Sequence, residues 1–198
     1  HEKVRLDANF SGNKTLNRGF GEGVNPMSYA TSMSRAVPAY DEDGQPVYYQ
    51  RQASYTYNNV QSLSYNFENE RDNSGSRMEA SYMSASMVFS WEILDWLRYE
   101  FTGGYSRNNS NSESWNLEKT FQVAQQYRGY DHGSVDPGSA LFKAAMLPFG
   151  GVLFTSDAIQ DSYNVQNKLL VSKTFDEIHR LNVMLGVEVR SNSVKNNS

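Results

Sequence analysis

The protein has 198 residues, no cysteine, a formal net charge of −4 and a pI of about 5.4. These values exclude a disulfide framework and a thiolate metal site, and they argue against a nucleic-acid partner, which needs a basic face. The chain is hydrophilic, with a mean hydropathy of −0.66, but it carries 13 Tyr, 10 Phe and 3 Trp, and disordered chains are poor in aromatics. The composition therefore indicates β-structure with long polar loops.

Five segments alternate apolar and polar residues with a period of two, which predicts strands that have one apolar and one polar face. The last segment is the clearest, with Leu and Val at its odd positions and mainly polar residues at its even positions. In chain order we expect antiparallel strands near residues 3–14, 77–91, 96–108, 162–174 and 180–192.

The connections between these strands differ greatly in length. Residues 92–96 and 174–179 form short turns, whereas residues 15–76 and 109–160 are long, polar and rich in aromatics. Loops this long are uncommon inside compact soluble domains. Short turns at one end and long loops at the other are typical of outer-membrane barrels, and Trp91 and Trp96 flank a short turn, where an aromatic girdle is expected.

No apolar run approaches the roughly 18 residues of a membrane helix, but this excludes helical spans only, because a membrane strand shows its lipid face in alternate residues. In the last strand we expect one face toward lipid and the other toward the lumen. The lipid-facing set is Leu181, Val183, Leu185, Val187 and Val189, and the lumen-facing set is Asn182, Glu188 and Arg190. A soluble β-sandwich with one buried face has the same alternation and remains open.

Three stretches carry a resemblance to a known family. They are residues 34–44 (SRAVPAYDEDG), residues 127–130 with 143–151 (YRGY and KAAMLPFGG), and the last hairpin, residues 173–189. In this order they resemble the SusC/RagA family of TonB-dependent outer-membrane transporters. Members of that family commonly carry R-A-x-P-A-Y-x-x-D-G and L-P-[YF]-G-G stretches in outer loops, and the similarity covers nearly the whole chain.

The resemblance implies an all-β fold in which residues 1–198 supply about five antiparallel strands and two long extracellular loops of a transmembrane β-barrel wall. It implies an outer-membrane active importer that takes up an oligosaccharide or peptide with a SusD-like lipoprotein, energised through TonB. We find no plug and no TonB-contacting segment in these residues, so the chain looks like a segment of a larger transporter. The implied surroundings are outer-membrane lipid, with no nucleic acid, no cofactor and no enzymatic activity.

The candidate contact residues lie in the two long loops, where Tyr and Arg are enriched as they are at protein interfaces. We expect residues 25–60 and 127–155 to be extracellular and to contact the lid, the substrate or both, although they could instead pack on neighbouring loops. The candidates are Arg35, Tyr40, Tyr48, Tyr49, Arg51, Tyr127, Arg128 and Tyr130.

Other motifs are weaker. The histidines His1, His132 and His179 have no metal-like spacing, and no Ser–His–Asp order suggests catalysis. Residues 41–44 resemble half of a calcium loop, but the twelfth position is Gln52, where an EF-hand needs Glu. Two further functions remain open: a soluble or surface glycan-binding β-module, and a surface adhesin or receptor fragment without transport activity. A requirement for detergent would separate the barrel wall from the soluble module.

Overall fold

A computed structural model describes residues 3–33, 37–53, 62–176 and 178–197. It is a mainly antiparallel β-structure with short helices. The elements in chain order are β1 (Val4–Gly19), α1 (Pro26–Ser32), β2 (Tyr49–Gln52), β3 (Ser62–Tyr65), α2 (Phe67–Asn73), β4 (Ser74–Leu94), β5 (Leu97–Asn116), α3 (Phe121–Val123), a π-helical turn (Ala124–Arg128), α4 (Ala140–Ala144), β6 (Val152–Phe175) and β7 (His179–Asn197).

The five long strands form one sheet in the order β1–β4–β5–β6–β7, and β2 pairs with β3 in a separate hairpin. In the pairing of β6 with β7 the register runs from Asp157 opposite Asn197 to Phe175 opposite His179. Within the described residues this sheet does not close on itself, and β1 and β7 are its edges. All five predicted strands are confirmed.

The strands are longer than predicted at the ends that lead into the long connections. β5 continues to Asn116 instead of ending near residue 108, and β6 begins at Val152 instead of near residue 162. Residues 108–116 (NNSNSESWN) are almost entirely polar, so they show no period-two pattern. Backbone pairing does not require that pattern, because the ladder hydrogen bonds are made by main-chain groups.

The chain divides into two compact units. The strand unit comprises His1–Leu16, Glu79–Asn111 and Ser156–Ser198, and the loop unit comprises Asn17–Met78 and Ser112–Thr155. Within the described residues every buried hydrophobic side chain lies in the loop unit, where Val24, Leu63, Tyr65, Phe67, Phe121 and Ala124 form a core cluster. The two long connections, expected to be polar loops, therefore contribute to a small folded unit.

Side-chain caps begin the helices of the loop unit. The Asn25 side chain accepts from the Ser28 N–H at the start of α1, and Pro26 occupies the first helical turn, where its missing N–H costs nothing. Asn66 caps α2 in the same way by accepting from the Asn69 N–H. Among the described residues, no helix has both the length and the apolar character needed to cross a membrane.

Candidate functional site

The strand unit has one apolar and one polar face, as the register of β6 and β7 shows. Directly opposed residues point to the same side of a sheet, and successive pairs alternate between its two sides. One side carries the pairs Val165–Val189, Leu169–Leu185 and Val171–Val183, and the other carries Asn164–Arg190, Gln166–Glu188 and Ser172–Asn182. Leu170 opposite Met184 is an apolar exception on the polar side.

The apolar face continues across β1, β4 and β5. Side chains from all three strands line one shallow hollow, among them Ala8, Phe10, Ala85, Met87 and Phe101. The apolar residues of this face are exposed on the edge strands, where Phe10 is 71% and Leu185 is 65% accessible to solvent, and half-buried on the inner strands, as at Phe101 and Leu169. Single exposed hydrophobic residues are ordinary on soluble proteins, but contiguous apolar surfaces mark a contact with a partner or a membrane.

Aromatic side chains lie toward both ends of this face. Tyr105 and Tyr163 pack with ring centroids 4.9 Å apart, and near the short turns the Lys173 ammonium lies 5.3 Å from the Trp96 ring and 5.2 Å from the Phe175 ring. Twelve residues separate Tyr163 from Phe175, a rise of about 40 Å along the strand. A tilt of about 40° reduces this to about 30 Å, which is the thickness of a bilayer core.

The polar face neutralises much of its charge within single strands. Arg5 donates to Asp7 at 2.8 Å, Arg98 lies 3.2 Å from Glu100, and Arg190 donates to Glu188 at 2.6 Å. Each pair is two residues apart and therefore on one side of its strand. A groove of about 630 Å³ crosses the middle of this face, and its lining includes Ser84, Ser86, Ser106, Ser162, Asn164 and Asn192.

Arg128, a predicted contact residue, is buried in the loop unit and only 1% accessible. Its guanidinium donates to three backbone carbonyls, those of Glu118 at 2.6 Å, Gly150 at 3.1 Å and Leu147 at 3.2 Å. Burial lowers the pKa of Arg128 from its usual value, while the nearby Glu118 carboxylate opposes that shift. Arg128 thus connects the YRGY stretch to the LPFGG stretch and has a structural role.

Two neighbouring tyrosines strengthen the same connection. The Tyr127 carbonyl accepts from the backbone N–H groups of Met146 at 3.0 Å and Leu147 at 3.3 Å. Tyr130 is buried, and its ring stacks on Phe142 at 6.1 Å. The YRGY and KAAMLPFGG segments, which together form one of the three resembling stretches, therefore pack against each other.

The remaining candidates lie on or near the β2–β3 hairpin. Tyr49 is half-buried against the core and 5.4 Å from the Tyr65 ring, whereas Tyr48 is exposed. Arg51 is exposed and lies over the Tyr65 ring at 4.5 Å. Tyr40 is exposed and forms an isolated bridge with Pro46. Arg35, His1 and part of the expected contact segment 25–60 fall outside the described residues.

The acidic turn at residues 41–44 is closed by one of its own side chains. The Asp41 carboxylate accepts from the backbone N–H groups of Asp43 at 3.0 Å and Gln45 at 2.7 Å. Gly44 adopts the left-handed conformation, with φ of 75°. Across the ranges that the structure describes, no three His, Cys, Asp or Glu residues are grouped so that they could hold a metal ion.

Sequence reasoning missed two buried polar residues of the loop unit. The Asn66 side-chain amide donates to the carbonyls of Ala39 and Val47, both at 2.8 Å. The Glu70 carboxylate accepts from the Phe121 N–H at 2.8 Å and from the Asn69 side chain at 3.1 Å. Burial raises the pKa of Glu70 to about 7, although these hydrogen bonds oppose the shift. For Asn66 the sequence offered one signal, because Asn is a favoured residue at the position that precedes a helix. For Glu70 we find no such signal.

No family model matches the chain, and no curated protein matches it. The assignment to a function therefore depends on the geometry described above and on the residues that carry the resemblance.

Proposed function

We propose that this protein forms part of the wall of an outer-membrane β-barrel, in an active importer of the SusC type. The observation that carries the proposal is the exposed apolar face of the strand unit, which has aromatic residues toward both ends. Among the described residues this unit buries no hydrophobic side chain of its own, so its sheet needs an apolar environment on one side. Lipid supplies that environment over the whole face.

Polar groups on the apolar face are compatible with lipid where they find partners. Asn167 lies on this face opposite Val187, and its carbonyl oxygen accepts from the Tyr99 hydroxyl at 2.5 Å. Nearer the long connections, Asp161 accepts from the Tyr105 hydroxyl at 2.8 Å. A polar group in hydrocarbon costs several kcal/mol when it lacks a partner. These two hydrogen bonds therefore lower the cost of placing Asn167 and Asp161 in a membrane.

The open edges of the sheet support a place within a larger barrel. Strands β1 and β7 each have one side without a neighbouring strand among the described residues. Membrane-spanning strands require closure, because an open edge leaves backbone N–H and C=O groups without partners in lipid. We therefore infer that further strands flank both edges in the assembled protein.

The polar face fits the water-filled or plugged side of such a wall. Its serine and asparagine groove and its internally paired charges suit contact with polar groups rather than lipid. By connectivity, the β4–β5 and β6–β7 connections lie at one end of the strands, and the long connections leave from the other. In the proposed transporter the long connections are extracellular and contact a SusD-like lipoprotein, an oligosaccharide or peptide substrate, or both, and TonB supplies the energy.

Cysteine accessibility tests the proposal directly, because the chain has no native cysteine. We would introduce Val187→Cys on the apolar face and Glu188→Cys on the polar face, and treat outer-membrane vesicles with a small charged maleimide. Residue 188 should react in the intact membrane, whereas residue 187 should react only after detergent is added. Equal reaction of both sites in the membrane, or a protein that stays monomeric in buffer without detergent, would reject the membrane wall. The latter outcome would favour the soluble β-module.

A further inference from the structure

A cleft of about 330 Å³ lies in the loop unit between α1 and the β2–β3 hairpin. Four aromatic residues line it: Tyr29, Tyr49, Tyr65 and Phe67. Tyr29 stacks on Phe67 with ring centroids 4.1 Å apart and an angle of 14° between the planes. Tyr65 and Phe67 are buried, but Tyr29 and Tyr49 remain partly accessible, so they offer ring surface to a ligand.

Among the described side chains that line this cleft, Arg51 carries the single charge. Its guanidinium carbon lies 4.5 Å from the Tyr65 ring centroid and 5.3 Å from that of Phe121. Ring contacts of this kind hold the cation over the aromatic faces but do not occupy its N–H donors as an acceptor would. Within the described ranges, no acidic side chain lies within ion-pair distance of Arg51.

The buried acid that shares a cavity with Arg51 is already hydrogen-bonded to other groups. Glu70 and the exposed Glu22 line an adjacent small cavity together with Arg51, whose charge acts on Glu70. The Glu70 carboxylate already accepts from the Phe121 N–H and the Asn69 amide, and neither acid forms an ion pair with Arg51 among the described residues. A guanidinium presents a planar fork of donors that matches a carboxylate with two parallel hydrogen bonds. The cleft therefore combines a cation that can donate hydrogen bonds to an anionic ligand with flat apolar surfaces beside it.

We propose that this cleft binds a saccharide ring that carries a carboxylate, with the carboxylate on Arg51 and the ring against Tyr29 and Tyr49. A cationic ligand would be repelled by Arg51, and a neutral sugar would leave its donors without an anionic partner. The proposal deepens the proposed function by naming a substrate class. Import of the bound ligand rests on the proposed function. Binding of the ligand does not, since binding itself does not require a membrane.

A matched pair of ligands tests this inference by calorimetry on the detergent-solubilised full chain. The first probe is a tetrasaccharide that contains glucuronic acid, and the second is the same tetrasaccharide with its carboxyls reduced to hydroxymethyl groups. The acidic probe should bind at least about tenfold more tightly, which corresponds to about 1.4 kcal/mol. Equal affinity for the two probes, or no binding of either, would overturn the proposal.

Three variants separate the parts of the site. Arg51→Gln should remove the preference for the acidic probe while retaining binding of the neutral one, which also shows that the cleft is still folded. Tyr29→Leu should weaken the binding of both probes. Arg180→Gln, which removes the same charge on exposed β7, should change the affinity for neither probe. Persistence of the preference in Arg51→Gln would contradict the assignment.

Membrane integration, measured on the same wild-type samples, separates this inference from the proposed function. Integration without binding rejects the saccharide site alone, whereas binding without integration rejects the barrel wall alone.

Discussion

Glu70 is a buried carboxylic acid of the loop unit whose ionisation is strongly affected by folding. Burial raises its pKa from 4.5 to about 7, and the hydrogen bonds from Phe121 and Asn69 only partly oppose this. The folded protein therefore holds the Glu70 proton more tightly than the unfolded chain does. The resulting contribution to stability is fully present below pH 4.5 and is lost as the pH rises through about 7.

We predict that Glu70→Gln makes the protein more stable than wild type at pH 8 and nearly as stable at pH 5. Glutamine cannot ionise, but its carbonyl oxygen can still accept the Phe121 N–H. The difference in the free energy of unfolding between the variant and wild type should increase by up to roughly 3 kcal/mol from pH 5 to pH 8. Urea unfolding at both pH values measures this difference, and Glu42→Gln on the exposed turn is the control. A gain that does not change with pH would show that Glu70 does not titrate in this range.

Arg128 gives a second prediction at the scale of single residues. Arg128→Met preserves an unbranched side chain but leaves the carbonyls of Glu118, Leu147 and Gly150 without their charged donor. We expect a loss of about 3 kcal/mol in the free energy of unfolding, because hydrogen bonds from a charged donor are among the stronger ones and these part-buried carbonyls lose theirs. Limited proteolysis should show faster cleavage near residues 147–151.

The control for this experiment is Arg71→Met, since Arg71 is exposed and pairs with Glu68 and Asp72 on the surface. Exposed ion pairs contribute little to stability, so this variant should resemble wild type. If Arg128→Met also resembled wild type, the guanidinium would not be what holds the two stretches together.

Among the elements, β7 offers the sharpest test of which face meets lipid. Leu185 lies opposite Leu169, which is six residues from both Tyr163 and Phe175 and therefore midway between the aromatic ends of the face. Leu185→Arg should destabilise the membrane form by about 2–4 kcal/mol, the cost of Arg near the bilayer midplane. The assembled fraction in outer membranes, separated on a gel without heating, measures the effect.

The adjacent residue provides the matched control on the opposite face. A Cβ atom at Gly186 would lie 3.5 Å from the Asn167 carbonyl oxygen and 3.5 Å from Lys168 Cγ, which is ordinary contact. Gly186→Ser should therefore assemble nearly as well as wild type. Similar losses in both variants would mean that the facing of β7 is wrong.

At the scale of the whole molecule, the loop unit presents apolar side chains that its own core does not cover. Met146 is 65% and Phe149 is 64% accessible, and the Met146 backbone N–H donates to the carbonyl of Tyr127 in the π-helical turn. Under the proposed function we predict that Met146→Ser with Phe149→Ser weakens association with the SusD-like lipoprotein by at least roughly tenfold, as expected for buried interface anchors. Barrel assembly should remain unchanged.

Co-purification at graded lipoprotein concentrations measures this association. Ile178→Ser is the control, because Ile178 is 82% accessible and lies in the connection between β6 and β7. Deletion of residues 127–155 would be a less specific test, since it removes Arg128 and the first residues of β6 together with the exposed surface. Unchanged association in the Met146 and Phe149 variant would exclude these side chains from the interface.

The sequence by itself determined the five strands, their two faces and their short turns. These features are local: alternation along residues 181–189 follows from the two-residue repeat of an extended chain, whatever lies elsewhere. The predicted strand ends were too short because alternation disappears in the polar stretch 108–116, although main-chain pairing continues there. The density of Tyr and Arg in the long connections was also visible, but their individual roles were not.

Only the tertiary structure decided which of those residues are buried and which remain available. Glu70 meets the Phe121 N–H across 51 residues of chain, and Arg128 reaches Gly150 across 22. No periodic pattern encodes such contacts, because they depend on how separate segments pack around a common core. For the same reason Arg128 and Arg51, equivalent as candidates in the sequence, have different surroundings: one is enclosed by backbone carbonyls, and the other lies on aromatic rings beside an open cleft.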